Sequence, residues 1–142
     1  MIRALDHVAV VVADTEAALR HFRDRVGLRV VGVDEPSEVP VRLTYLDLGN
    51  TYLQLVEPLD PSHPLAAWLE SHGEGLHHIC FGVDDVSGVA ARLGDGTHVA
   101  VGGGRGRTSA FVPGPRPHGV AIECTEFHLE EDVHERSGWL DH

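Results

Sequence analysis

The sequence contains no lysine, because all eleven basic residues among its 142 are arginine. Without lysine the chain cannot form a Schiff base through an amine side chain, and it cannot carry a P-loop, whose pattern requires a lysine. Cysteine is also scarce: only Cys80 and Cys124 are present, and they have no C-x-x-C spacing. Neither a disulfide framework nor a thiolate zinc site is indicated.

Long apolar runs are absent as well. No stretch of the chain reaches the roughly 18 apolar residues that a membrane-spanning helix needs. The apolar run near the first residue is short and is soon followed by acidic residues, unlike a secretory signal. We therefore expect a cytoplasmic protein that does not act in a membrane.

Positive charge is in deficit. Eleven arginines stand against 22 acidic residues, which gives a net charge of −11 at pH 7. Proteins that bind nucleic acid gain affinity by neutralising phosphates, so this balance argues against a nucleic-acid partner. The hydrophobic fraction of 42% is typical of a globular chain, and 142 residues suffice for one domain with its own core.

What the sequence does contain is an internal repeat. Residues 6–14 match residues 77–85, so that His7 corresponds to His78 at an offset of 71 residues (78 − 7 = 71). In each copy a short apolar stretch ends at an aspartate that can act as a helix N-cap, and an amphipathic segment follows. A duplication of this kind predicts two similar halves.

Each half is predicted to be a βαβββ module, residues 1–58 for the first and 75–125 for the second. A linker with a short helix, residues 59–74, joins them, and an acidic tail, residues 126–142, follows. The expected fold class is α+β, a single domain whose two modules form a curved, partly closed mixed β-sheet around a cavity. Helices are predicted at residues 15–26, 64–71 and 86–93.

The repeat also predicts a site, because equivalent strands bring equivalent positions together. The first strand of each half carries a histidine, His7 or His78, and the last strand carries one polar side chain among apolar neighbours, Gln54 or Glu123. The two separations along the chain are 47 and 45 residues (54 − 7 and 123 − 78). Two imidazoles, an amide oxygen and a carboxylate suit one divalent ion such as cobalt, zinc, nickel or manganese.

The other histidines are interpreted differently. Because side chains alternate along a strand, His77 is predicted to face away from the cavity that His78 faces. The remaining eight have no counterpart in the repeat and are assigned to the surface: His21, His63, His72, His98, His118, His128, His134 and His142.

Three segments carry a family resemblance: DHVAVVVADTEAALRHF, LGNTYLQLVEPLDPSHPLAAWLESHGEGLHHICFGVDDV and GVAIE. The chain from Leu5 to Glu126 resembles the vicinal oxygen chelate superfamily, which includes glyoxalases, bleomycin resistance proteins and dioxygenases. The middle segment is the most specific, and it resembles the methylmalonyl-CoA epimerases. The resemblance implies the same four metal ligands and a homodimer.

The implied reaction is the epimerisation of a 2-acyl-CoA acid such as methylmalonyl-CoA. A metal ion would stabilise the enolate that forms when the proton next to the thioester carbonyl is removed. Glu123 is implied as a catalytic residue and Arg116 as a contact of the coenzyme A phosphates, with Arg105 and Arg107 as further candidates. The chain departs from some epimerases at Leu43, where they carry a second glutamate.

Two other functions stay open at this point. One is a glyoxalase-like isomerase or lyase that acts on another chelating substrate, and the other is a non-catalytic protein of the same fold that binds a small molecule. A ring-cleaving dioxygenase is disfavoured, because its ferrous site uses two histidines and one carboxylate, and Gln54 would crowd the positions left open.

Overall fold

The structure is a computed structural model that describes residues 2–94, 98–100, 104–112 and 116–127. The acidic tail predicted for residues 126–142 lies outside these ranges except for its first two residues, and Glu126 ends the last strand. Within the described ranges, no helix is both long enough and apolar enough to cross a bilayer.

The described chain contains eight strands and three α-helices. The strands are β1 (Ile2–Val11), β2 (Arg29–Asp34), β3 (Val41–Asp47), β4 (Tyr52–Pro58), β5 (Gly75–Val83), β6 (His98–Ala100), β7 (Ser109–Phe111) and β8 (Ala121–Glu126). The helices are α1 (Thr15–Leu19), which continues as a π-helical segment (Arg20–Arg25), α2 (Pro64–His72) and α3 (Val86–Leu93). Short 3₁₀ turns span Gly104–Gly106 and Pro117–Gly119. The α+β fold with two βαβββ modules is thereby confirmed.

All eight described strands belong to one mixed sheet, in the order β2-β3-β4-β1-β5-β8-β7-β6. The first strands of the two modules, β1 and β5, are antiparallel neighbours at its centre. β1 is parallel to β4, and β5 is parallel to β8, while the remaining pairs are antiparallel. The four central strands therefore repeat the same arrangement in both modules.

α1 begins where the sequence predicts it. Asp14 has an extended backbone, and its carboxylate accepts a hydrogen bond from the Ala17 amide at 3.2 Å, as an N-cap does. The helical segment ends before Gly27, whose φ of 94° lies in the left-handed region that favours glycine. Asp85 occupies the equivalent position before α3, although its side chain makes no capping hydrogen bond.

The two faces of the sheet have different environments. On one face, Leu19 of α1 packs in a cluster with Leu55, and Val86 of α3 packs in a cluster with Cys124. On the other face, a third cluster contains Tyr52, and Trp68 of α2 packs against it. Because side chains alternate along each strand, residues next to those that contact α1 and α3 point to this second face, where the cavity lies.

Candidate metal centre

The four side chains that the repeat singles out come from the four central strands and line one cavity of about 600 Å³. β1 contributes His7, β4 Gln54, β5 His78 and β8 Glu123. Gln54 lies beside Ala9 of β1, and Glu123 lies beside Cys80 of β5. In each module this neighbour is two residues after the histidine. The duplicated register thus brings all four predicted residues to one place.

Three of these groups converge closely. Nε2 of His7 and Nε2 of His78 lie 3.2 Å and 3.4 Å from the same atom, Oε1 of Glu123. Both nitrogens are buried and have no hydrogen-bond partner among the described residues. Ligand atoms that each lie about 2.1 Å from one ion are separated by about 3.0–3.4 Å at octahedral to tetrahedral angles. The donor set and its spacing therefore fit a divalent ion.

Burial and neighbouring charges act in opposite directions on these groups. Burial alone would raise the pKa of Glu123, but the imidazoles of His7 and His78 outweigh it and hold that pKa well below its usual range. Burial alone would lower the pKa of His7, but Asp6 and Glu123 together raise it. Glu123 thus stays ionised and offers a negatively charged oxygen at the point where a cation would be held.

Gln54 lies in the same cavity and is only 4% exposed. Its Nε2 donates a hydrogen bond to Oη of Tyr45 at 3.1 Å. Burial raises the pKa of Tyr45 to about 12, so the phenol stays protonated. Since the amide nitrogen is engaged and only the amide oxygen can bind a cation, the oxygen is the candidate ligand atom. Metal binding by the four residues stays a prediction.

The prediction that His77 faces away from the cavity is wrong. The pairing of β1 with β5 passes over His77, with Ala9 opposite His78 and Val10 opposite Leu76. Such a β-bulge breaks the strict alternation of side chains and re-aims one of them. His77 therefore lines the cavity beside His78, and their Nδ1 atoms are 2.8 Å apart. Burial and the positive charge of its neighbours lower the pKa of His77 to about 4.

Residues 6–112 match the model of the Glyoxalase/Bleomycin resistance protein/Dioxygenase superfamily. The chain belongs to this superfamily. The match begins one residue before His7 and extends through β7, so it includes three of the four predicted ligands. The fourth, Glu123, lies beyond it, and its place in the site rests on the register of β8.

Individual relatives in the superfamily are epimerases. The chain is 33% identical over 111 residues to the ethylmalonyl-CoA/methylmalonyl-CoA epimerase of Cereibacter sphaeroides. The aligned region covers 78% of this chain and 83% of that protein. A glutamate-to-leucine variant of the Streptomyces coelicolor methylmalonyl-CoA epimerase, solved in complex with 2-nitronate-propionyl-CoA, has a TM-score of 0.79 and 30% identity. A methylmalonyl-CoA epimerase in complex with methylmalonyl-CoA and NH4+ gives the same values. In both cases 91% of this chain and 97% of the other are covered. The sequence resemblance is confirmed.

The three arginines suggested for the phosphates of a substrate occupy different positions. Arg116 lines the cavity, and its guanidinium lies 5.6 Å from the centre of the Trp68 ring. Arg105 also reaches the cavity, but its Nη2 points inward to Oδ2 of Asp6 at 2.6 Å. Arg107 is only 9% exposed. Arg116 thus lines the cavity, whereas Arg105 is engaged by Asp6 and Arg107 is almost fully buried.

The sequence predicts a surface position for His63, but its side chain lines the cavity. It stands just before α2, and its Nδ1 accepts a hydrogen bond from the Leu65 amide at 3.1 Å. The sequence contains a signal for the capping role, because Pro64 follows His63 and proline is common at the first position of a helix.

Proposed function

We propose that the protein is a metal-dependent epimerase of a 2-acyl-CoA acid such as methylmalonyl-CoA. The observation that carries the proposal is the convergence of His7 and His78 on Oε1 of Glu123. The volume of the cavity, about 600 Å³, lies within the range of small-molecule sites. The names of the relatives support the substrate class.

Four residues would hold the ion: His7, Gln54, His78 and Glu123. Their imidazole, amide and carboxylate groups suit cobalt, zinc, nickel or manganese. When bound, the ion supplies Lewis acidity that stabilises negative charge on the thioester oxygen as the proton on C2 leaves.

Glu123 is the proposed base. Its side chain is 20% exposed, compared with 5% for His7 and 7% for His78, so it is the member of the cluster with the best access to the open cavity. A carboxylate within hydrogen-bond reach of the C2 proton can remove it from one face of C2, and a solvent-derived proton then reaches the other face. The Nε2 atoms of the two imidazoles lie 3.2 Å and 3.4 Å from Oε1.

The cavity also has an apolar part that suits the alkyl group of the substrate. Val41 and Leu43 of β3, Val56 of β4 and Leu65 of the helix α2 line it. Burial of a methyl or ethyl group against these side chains is favourable and excludes water from the reacting carbon.

Arg116 is the proposed contact of the coenzyme A phosphates. The guanidinium lies over the Trp68 ring, and its Nη2 is 3.4 Å from the Gly119 carbonyl oxygen. Both contacts orient a group that binds phosphate through two parallel hydrogen bonds. Arg116 would therefore contribute to substrate binding and not to the proton transfer.

Leu43 favours a second candidate, a glyoxalase-like isomerase or lyase that acts on another chelating substrate. Epimerisation removes a proton from one face of C2 and delivers a proton to the other face. Leu43 lines the cavity and is 7% exposed, and a leucine side chain cannot exchange a proton. A reaction that removes and returns the proton on a single face needs only Glu123.

Solvent-exchange experiments separate the candidates. The cobalt-loaded protein is incubated in D2O with one C2 epimer of methylmalonyl-CoA, and deuterium content and configuration are measured by mass spectrometry and chiral separation. We expect deuterium at C2 with inversion. Glu123→Gln should abolish exchange, whereas Glu70→Gln on the exposed side of α2 should not. Absence of exchange with metal fully bound would remove the epimerase, and exchange without inversion would favour chemistry on one face. Metal binding without any turnover would favour a non-catalytic binding protein.

A further inference from the structure

A second bulge lies in β1, at the position equivalent to His77. The pairing with β5 passes from Leu5 directly to His7, so that Asp6 is the additional residue. The Thr51 hydroxyl donates to the Leu5 carbonyl at 2.9 Å and is 3.0 Å from the Asp6 carbonyl, and it thereby holds the bulged backbone. In both modules the residue before the histidine is thus turned toward that histidine's Nδ1 atom.

Asp6 and His77 meet their histidines with different chemistry. Asp6 is fully buried, and its Oδ2 is 2.7 Å from Nδ1 of His7. A carboxylate is an acceptor, so Nδ1 of His7 carries a proton, and Nε2, which faces Glu123, is the nitrogen available to a cation. His78 has only the neutral ring of His77 beside its Nδ1, at 2.8 Å. Asp6 therefore defines the orientation of one imidazole more strictly than His77 defines the other.

Arg105 brings the second module to this carboxylate. Its Nη2 lies 2.6 Å from the same Oδ2 of Asp6, and its side chain is 16% exposed. The guanidinium carbon lies 5.5 Å and 5.3 Å from the ring centres of Tyr45 and Tyr52, which surround it with aromatic faces. A buried carboxylate without such a partner would be strongly destabilising, so Arg105 makes the burial of Asp6 possible.

The backbone at Arg105 is held in an unusual conformation. Its φ is 58°, in the left-handed region that a side chain of this size rarely adopts. The Arg105 amide donates to Oδ2 of Asp34 at 2.8 Å. Backbone strain of this kind persists only where surrounding contacts over-determine it, and here those contacts place the guanidinium on Asp6.

We propose that Asp6 and Arg105 are a positioning pair, which fixes the tautomer and orientation of His7 so that its Nε2 is presented to a divalent cation. The inference rests on the proposed function in one respect, namely that His7 is a metal ligand. Groups that hydrogen-bond to the distal nitrogen of a ligating histidine change metal affinity by about 10- to 100-fold. Arg105, in the second module, contacts Asp6, and Asp6 contacts His7. A residue of the second module thereby positions a metal ligand of the first.

Cobalt titrations of the metal-free protein test the proposal. We expect the Kd for Co2+ to rise about 10- to 100-fold in Asp6→Asn and in Arg105→Gln. The Kd of the double variant should not exceed the higher of the two single-variant Kd values, because both substitutions remove the same interaction. Asp84→Asn is the matched control: Arg3 and Asp84 also form an Asp–Arg pair between the modules, at 2.9 Å, but on the surface. Its Kd should stay within about twofold of the wild type.

A measurement on the wild-type protein does not depend on the folding of any variant. Histidine 15N spectra of the zinc-loaded protein should show His7 bound through Nε2, with a slowly exchanging proton on Nδ1. Coordination through Nδ1, or a rapidly exchanging Nδ1 proton, would overturn the proposal, as would unchanged Kd values in both variants. Failure of the wild type to bind Co2+ or Zn2+ would instead refute the proposed function.

Discussion

The proposed metal site leads to a quantitative prediction about thermal stability. A ligand that binds only the folded state stabilises it by about 2.7 kcal/mol when its free concentration is 100 times its Kd. The entropy of unfolding is about 2.1 cal/mol/K per residue, or about 0.3 kcal/mol/K for this length. Dividing one by the other, we expect the Tm of the metal-free protein to rise by about 9 °C on addition of a suitable ion.

Substitution of a ligand should remove most of this shift. His78→Ala deletes one of the two nitrogens that face Glu123. Outer partners of metal ligands are worth about 10- to 100-fold in affinity, so a ligand itself should be worth at least about 100-fold. At the same ion concentration the remaining stabilisation is then about 0.4 kcal/mol, a Tm shift of about 1 °C.

Calorimetry of chelator-treated protein with cobalt, zinc, nickel or manganese chloride measures both shifts. His21→Ala is the control, because His21 is exposed on the π-helical segment and lies outside the cavity. It should respond to the ion as the wild type does. The proposed metal site is wrong if none of the four ions raises the Tm of the wild type by more than about 1 °C, or if His78→Ala responds as strongly as the wild type.

Four further substitutions have defined outcomes. Leu43→Glu places a carboxylate in the cavity wall, and we expect inversion of methylmalonyl-CoA at C2 to become at least about tenfold faster in the chiral assay, in keeping with general acid–base catalysis. Arg116→Gln should raise the KM for the CoA ester and leave kcat within about twofold in steady-state kinetics, because it removes a binding contact only. Asp14→Ala removes the N-cap of α1 and should lower stability by about 1 kcal/mol in urea unfolding. A Cβ at Gly104 would lie 2.7 Å from Oη of Tyr45, so Gly104→Ala should cost about 1–3 kcal/mol by the same measurement.

Each of these predictions has an outcome that would contradict it. An unchanged inversion rate in a folded Leu43→Glu protein would mean that residue 43 lies off the path of the proton. A fall in kcat without a change in KM would remove Arg116 from substrate binding. Unfolding free energies within about 0.3 kcal/mol of the wild type would contradict the capping role of Asp14 and the tight contact at Gly104.

The elements of the fold followed from local patterns. Predicted helices at 64–71 and 86–93 correspond to Pro64–His72 and Val86–Leu93, and the prediction at 15–26 corresponds to α1 with its π-helical continuation. These succeed because capping residues, proline and glycine act on the backbone within a few residues of themselves.

The candidate site follows from the repeat and not from local patterns. A repeat at a fixed offset makes two halves of a sheet equivalent, so polar positions that match in the sequence must meet in space. This placed His7, Gln54, His78 and Glu123 together without any knowledge of distances. It required only that both modules pair their strands in the same way.

Patterns along the chain thus define the set of elements, their duplication and the four side chains that share a cavity. The surroundings of those side chains depend on contacts between residues that are distant in the chain. The bulges at Asp6 and His77 arise from the pairing of β1 with β5, which are distant in the chain, and a bulge reverses the side that alternation predicts. The inward turn of Arg105 likewise depends on Asp6, a residue 99 positions away whose buried charge requires a partner.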